Sequence, residues 1–254
     1  MLVRLPSSGS YVAQVEKEQY WLPRLAPQLP LPIPEPLAMG EPTDEYPWAW
    51  SIYRWIEGES GDTGTIDDLS RCAADIADFL LALQKIDPEC GPQPGAHNFF
   101  RGGPLSTYDD ETRTAIALLR HEVDHAAATR LWERALDTSW EEPPVWVHGD
   151  MEAKNILVAG GHPVAVIDFG SSATGDPSCD LSIAWTLFRG ESRRFFRARL
   201  GVDDDTWVRG AAWVLWKGLI TLEEQRRTDP ARADEARRII EDVVMVEEDR
   251  SGVK

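Results

Sequence analysis

The stretch VWVHGDMEAKNILVAGGHPVAVIDFGSSATGDPSCD, Val145–Asp180, decides how the rest of the chain is read. It holds His148-Gly149-Asp150, then Asn155 five residues after the aspartate, then Asp168-Phe169-Gly170. Between them, Ile156-Leu157-Val158 and Val164-Ala165-Val166-Ile167 have the composition of short buried strands, and Ala159-Gly160-Gly161-His162-Pro163 is turn chemistry. A hairpin here returns Asp168 to the neighbourhood of Asn155. Two carboxylates and an amide then share one place. Asp150 can accept a proton from an attacking hydroxyl. Asn155 and Asp168 are hard oxygen donors of the kind magnesium prefers.

The order H-x-D-x-x-x-x-N followed by D-F-G matches the catalytic and metal loops of kinase-type phosphoryl-transfer enzymes. Gly149 stands where protein kinases carry Arg. H-G-D-x-x-x-x-N, I-D-F-G and the Gly175-Asp176-Pro177-x-x-Asp180-Leu181 run together resemble the aminoglycoside phosphotransferase family. The resemblance is strongest over Val145–Leu187 and continues, more weakly, from the N-terminus to about Leu83. It implies an α+β, two-lobed protein-kinase-like fold. Residues 1–55 would form a small nucleotide-binding sheet lobe, truncated at its start. Residues 56–254 would form a larger, mostly helical lobe with the catalytic and metal loops and the acceptor region. The implied activity is magnesium-dependent transfer of a phosphoryl group from ATP or GTP to a small-molecule hydroxyl. Aminoglycosides, macrolides and metabolite alcohols all stay open as acceptors.

The resemblance also assigns residues outside the central stretch. Kinase-like folds pair a strand cation with a helix carboxylate at the nucleotide phosphates. Arg4 takes the cation position and Glu18 the carboxylate position. Arg in place of Lys is a departure, and its bidentate fork is not equivalent to an ammonium. The strand at Ala49–Trp55 falls at the inter-lobe hinge, where Arg54 and Ile56 would offer backbone groups to the adenine. Only three residues precede Arg4, which leaves no room for the Gly-rich hairpin that covers nucleotide phosphates. The corresponding expectation is an exposed sheet edge, weak nucleotide affinity and self-association through the small lobe.

The whole-chain properties narrow the class. The chain has 254 residues and a net charge of −17, which argues against a nucleic-acid surface. That charge suits a cationic substrate, although a solvated acidic surface is the simpler account. Cys72, Cys90 and Cys179 offer neither a disulfide framework nor a C-x-x-C pair. No signal-peptide pattern opens the chain and no apolar run is long enough to span a bilayer, so a cytoplasmic location without membrane partners is expected.

Along the chain, Leu2–Leu5 reads as a strand and Val12–Leu25 as a helix that ends or kinks at Pro23. Pro27–Pro36, with five prolines in ten residues, reads as a stiff connector. Thr65–Ile86 is amphipathic, with Thr65 as the expected cap. Asp87–Pro104 is a long Gly/Pro-rich loop, in which His97, Asn98 and Arg101 are possible substrate contacts but read more simply as solvated. Arg189–Arg199 reads as a solvated basic helix face. Trp207–Leu222 is a helix whose tryptophans suit core packing. Ala231–Glu248 reads as a terminal helix with an acidic end, Glu247-Glu248-Asp249.

Two further readings compete with the enzyme. One is a catalytically weak, kinase-like nucleotide-binding or scaffold protein. The other is a zinc hydrolase, because His121-Glu122-Val123-Asp124-His125 fits H-E-x-x-H. The metzincin extension is absent after His125, and no third ligand announces itself.

Overall fold

In the computed structural model, which describes residues 1–251 of the chain, a small antiparallel sheet with one helix stands over a larger helical body. The sheet is formed by β1 (Leu2–Arg4), β2 (Pro36–Gly40) and β3 (Trp50–Tyr53), in the order β1-β3-β2. Helix α1 (Val12–Leu25) packs beneath it and runs through Pro23 without ending there. Val15, Leu22 and Leu25 form its buried stripe, and Glu18 lies in the same stripe at 4% exposure. The proline-rich connector is shorter than its composition suggests. Its last residue, Pro36, already belongs to β2, an outer strand, which is where proline is tolerated.

The larger body begins at β4 (Glu59–Ser60) and α2 (Leu69–Gln84). Asp68, not Thr65, caps α2, and its carboxylate accepts from the amides of Ser70 and Arg71 at 2.9 and 3.0 Å. That satisfies two of the donors a helix start leaves open. Ile76, Phe79, Leu80 and Leu83 from α2 are all fully buried. Next come α3 (Asp109–Leu118) and α4 (His125–Leu136). The central stretch supplies β5 (Val145–Val147), β6 (Ile156–Ala159), β7 (His162–Val166) and β8 (Ala173–Gly175).

Strands β6 and β7 pair as a hairpin closed at Gly160-Gly161, whose φ angles of +56° and +80° are the left-handed values a tight two-residue turn demands. β5 pairs antiparallel with β8. The chain finishes with α5 (Ile183–Thr186), α6 (Gly190–Leu200), α7 (Asp204–Gln225) and α8 (Pro230–Ser251). A 3-10 segment, Pro177–Ser182, leads into the short α5. The basic helix is not simply solvated. Arg193 is buried, donates to the carbonyls of Ala184 and Phe188, and pairs with Asp242 on α8. The side chains of Glu247-Glu248-Asp249 lie outside the described residues. None of the described helices is long and apolar enough to cross a membrane.

Candidate active site

The β6–β7 hairpin performs the return that its sequence implies. The amide of Ile167 donates to the carbonyl of Asn155 at 2.8 Å, so Asp168 leaves the second strand beside the start of the first. Asp168 itself has φ of +65°, a conformation that costs a non-glycine residue free energy. Asn155 then turns its amide nitrogen onto Asp150, donating to the carbonyl at 2.7 Å and the carboxylate at 2.9 Å. This leaves the Asn155 amide oxygen directed away from Asp150, as a metal ligand requires.

The catalytic loop is held from behind. His148 is fully buried. Its Nδ1 accepts from the Asp150 amide at 3.2 Å and its Nε2 donates to the Ile167 carbonyl at 3.0 Å, tying the two loops together. The Phe169 ring packs edge-on against it at 4.7 Å. Asp180, also fully buried, accepts from the amides of His148 and Gly149 at 2.8 and 2.7 Å. Burial pushes the Asp180 carboxyl above its ordinary range, with His148 and the two amides opposing. Asp176 caps the 3-10 segment through the Ser178 amide at 2.9 Å and pairs with the buried Arg209 at 2.7 Å. Asp180 thus holds the loop directly, and Asp176 fixes the 3-10 segment that carries Asp180.

Gly149 explains the departure from the protein-kinase pattern. Its φ is +84°, and a Cβ built there would stand 2.3 Å from the Ser171 carbonyl oxygen. An arginine does not fit this backbone path. Burial works against the charge of Asp150, but Lys154 and Arg101 nearby, with the Asn155 amide, hold its carboxyl below the usual range. Asp150 is therefore ionised near neutrality and able to accept a proton.

Across the cleft, Arg4 meets Glu18 at 3.2 Å and Asp168 at 2.5 Å. Glu18 also accepts from the Tyr53 hydroxyl. Burial raises the Glu18 carboxyl, and Arg4 with Tyr53 works against the rise. Lys17 spans the same seam, donating to the carbonyls of Gly170 and Ser172 at 2.6 and 2.9 Å, and burial pushes its ammonium down to about 8. Arg4, Glu18, Tyr53 and Asp168 line a pocket of about 240 Å³. A larger cavity of about 420 Å³, bounded by Leu105, Trp140, Asp176 and Arg209, includes neither Asp150 nor Asp168 in its lining. At the expected hinge, the Arg54 amide already donates to the Glu35 carbonyl at 2.9 Å, which leaves its carbonyl as the group to offer. Ile56 follows β3 in the link to β4.

Magnesium fits this donor set. Asp168 keeps a second carboxylate oxygen beyond the one that Arg4 engages, Asn155 offers an oxygen, and hard oxygen ligands are what the ion takes. The zinc reading does not survive. His125 opens α4 while His121 lies in the turn after α3, so the two are not one helical turn apart on one helix. Glu122 is paired with Arg226 and Arg237 at 3.1 and 3.2 Å. No group of three or more His, Cys, Asp or Glu side chains placed to hold a metal occurs among the described residues.

Two neighbours of the candidate site are placed differently from what the sequence suggests. Lys17 gave no signal beyond its place next to Glu18. Asn98 reads as a solvated loop residue but is fully buried, and its side chain donates to the carbonyls of Arg101 and Ser171 at 2.9 and 3.2 Å. It anchors the long loop to the metal loop.

No curated protein sequence matches the chain. Among solved structures it is similar to the GDP complex of wild-type aminoglycoside 2'-phosphotransferase-IIIa, at 20% identity and a TM-score of 0.68, covering 96% of this chain and 86% of that one. A GDP and kanamycin complex of an aminoglycoside phosphotransferase is similar at 21% identity and a TM-score of 0.65, with 99% and 87% covered. Macrolide 2'-phosphotransferase type I is similar at 17% identity and a TM-score of 0.62, with 94% and 82% covered. These likenesses show the two-lobed kinase-like fold. The family model of the phosphotransferase enzyme family matches residues 1–213, and the chain belongs to that family.

Proposed function

We propose that this protein transfers the γ-phosphoryl group of a purine nucleoside triphosphate to a hydroxyl of a small molecule. The observation that carries the proposal is the Asp150–Asn155 hydrogen bond at 2.9 Å standing beside the Asp168–Arg4–Glu18 chain of ion pairs. Complexes of relatives with GDP and with ATP support a purine nucleotide as donor. ATP and GTP are both admitted.

The acceptor hydroxyl approaches Asp150, whose carboxylate takes the proton as the oxygen–phosphorus bond forms. The bond from the γ-phosphorus to the bridging oxygen breaks, and the nucleoside diphosphate leaves with that electron pair. Arg4, fixed by Glu18, reaches the donor phosphates. Asn155 keeps Asp150 in place and Asp180 keeps the loop amides in place. Asn155 and Asp168 would hold a magnesium ion, which would supply charge neutralisation at the donor phosphates. The backbone of Arg54 and Ile56 borders the base.

A division near residue 55 is supported by the end of β3 at Tyr53. β1 is an outer strand, and Leu2, Val3 and Leu5 are exposed, which supports self-association through the small lobe. Light scattering across a concentration series tests that part. A cytoplasmic location suits a nucleotide-dependent enzyme.

The direct test is transfer of label from γ-labelled ATP or GTP to members of a hydroxyl-bearing panel. Transfer that needs magnesium and fails in Asp168→Ala supports the proposal. Nucleotide binding that is indifferent to both magnesium and Asp168 defeats it.

A further inference from the structure

Arg101 stands beside the loop that carries Asp150, where its charge helps keep that carboxylate ionised, and no step above gives it a direct contact with substrate. Its backbone is fixed by Asn98: the Asn98 side chain takes its carbonyl at 2.9 Å, and its amide donates to the Asn98 carbonyl at 3.2 Å. Its Cβ lies 3.0 Å from where a Cβ on Gly149 would stand, next to the catalytic aspartate in the chain. From there the guanidinium extends over two indole rings of α7, 4.9 Å from the Trp213 centroid and 4.7 Å from that of Trp216. Those rings are themselves locked. Both are buried, Tyr108 stacks on Trp216 at 4.1 Å, and the Trp216 ring nitrogen donates to Glu111 at 2.7 Å. Tryptophan faces stabilise a cation and fix its plane without consuming its N–H donors.

Among the described residues no carboxylate makes a direct ion pair with Arg101, and Asp150 and Asp180 attract it only from further off. This sets it apart from the other cations of the site. Arg4 is held by Glu18 and Asp168, and Lys154 by Glu152 at 2.8 Å and Asp150 at 3.5 Å. A planar fork of donors, held on aromatic faces near the base and making no direct ion pair, matches the geometry of a carboxylate or phosphate.

We infer that Arg101 selects the acceptor: the hydroxyl compound phosphorylated at Asp150 carries a carboxylate or phosphate substituent that the guanidinium binds. This rests on the phosphotransferase reading and narrows it. The net charge of −17 suggests a cationic partner, whereas the group presented beside the base repels one. An ammonium facing Arg101 meets a like charge, and like charges at contact oppose binding.

Calorimetric titration of the full chain, with magnesium and a non-hydrolysable nucleotide present, tests this. The probes are gluconate, glucose 6-phosphate, glucose, glucosamine and kanamycin. Gluconate or glucose 6-phosphate should bind at least about tenfold more tightly than glucose and glucosamine, the scale of one hydrogen-bonded charge pair. Arg101→Gln should erase that preference, and Arg101→Lys should restore part of it, because an ammonium keeps the charge and loses the fork. The inference is overturned if neither anion binds the wild type, if kanamycin binds more tightly than both, or if Arg101→Gln keeps the preference. Nucleotide binding in the same titrations, lost in Asp168→Ala, judges the phosphotransferase reading separately from the acceptor.

Discussion

Arg4 and Asp168, 164 positions apart in the chain, meet at 2.5 Å across the cleft, and the same guanidinium holds Glu18 at 3.2 Å. One side chain therefore couples the small sheet, helix α1 and the metal loop. Two carboxylates outweigh the burial of Arg4 and hold its proton more firmly than usual. Under the proposed function, the arrangement keeps a cation fixed where the donor phosphates would arrive.

Removing that cation should cost twice. Arg4→Ala leaves Glu18, at 4% exposure, with Tyr53 alone as partner. A stability loss of about 1–3 kcal/mol is expected, less than for a fully enclosed pair because Arg4 is 39% exposed. Nucleotide affinity should fall as well. Urea unfolding and nucleotide titration read the two effects. Arg4→Lys should recover charge but not the simultaneous grip on both carboxylates. If Arg4→Lys matches the wild type in both measurements, the bridging fork is irrelevant.

Asp150→Asn should fold normally, because the Asn155 amide retains the backbone carbonyl of residue 150 as an acceptor at 2.7 Å. Loss of a positioned base typically lowers the rate about 10²–10⁴-fold. Steady-state kinetics on a turned-over acceptor should show the drop in kcat with nucleotide KM little changed. Wild-type turnover by the purified variant would remove Asp150 from its role.

Much of this site was legible because its chemistry is contiguous. A base, an amide five residues on, and a carboxylate after one hairpin are all carried by a single stretch. Glu18 was readable by resemblance, and it also interrupts the apolar stripe of Val15, Leu22 and Leu25, where a charge needs a reason. Asn98 and Arg101 were not legible in the same way. Their roles come from contact with Ser171 and Gly149, residues far along the chain, and a polar loop carries no periodicity to signal burial. The pairing of β5 with β8 escaped for a related reason. Each strand has three residues, too few for alternation to show. Arg193 looked solvated because four other arginines surround it in sequence, and only the fold selects the one that turns inward.

Gly149→Ala should damage the site without touching any reacting group. The left-handed φ of +84° costs a residue with a side chain about 1–3 kcal/mol. In addition, the new methyl would sit 2.3 Å from the Ser171 oxygen, so one loop must move. Because Gly149 links His148 to Asp150, that movement displaces the base. Unfolding midpoints and kcat should fall together. Unchanged kcat in Gly149→Ala would mean that the close contact of the two loops does not position Asp150.

The final prediction concerns pH and Lys17. Burial lowers its pKa to about 8 from the ordinary 10.5, while its ammonium donates to the carbonyls of Gly170 and Ser172. Between those two pH values the unfolded chain binds a proton that the folded chain has released. Stability from this group therefore rises with pH across that window and is lost as pH falls through 8. Lys17→Met keeps the apolar stem and removes the titration. The difference in unfolding free energy between wild type and Lys17→Met should shift in favour of the wild type as pH is raised from 7.5 to about 10, in urea titrations at several pH values. Other groups titrate identically in the two proteins and cancel in that difference. Parallel pH dependences would show that the Lys17 ammonium is as well solvated in the folded protein as in the unfolded chain, and that the seam between α1 and the metal loop is open to water.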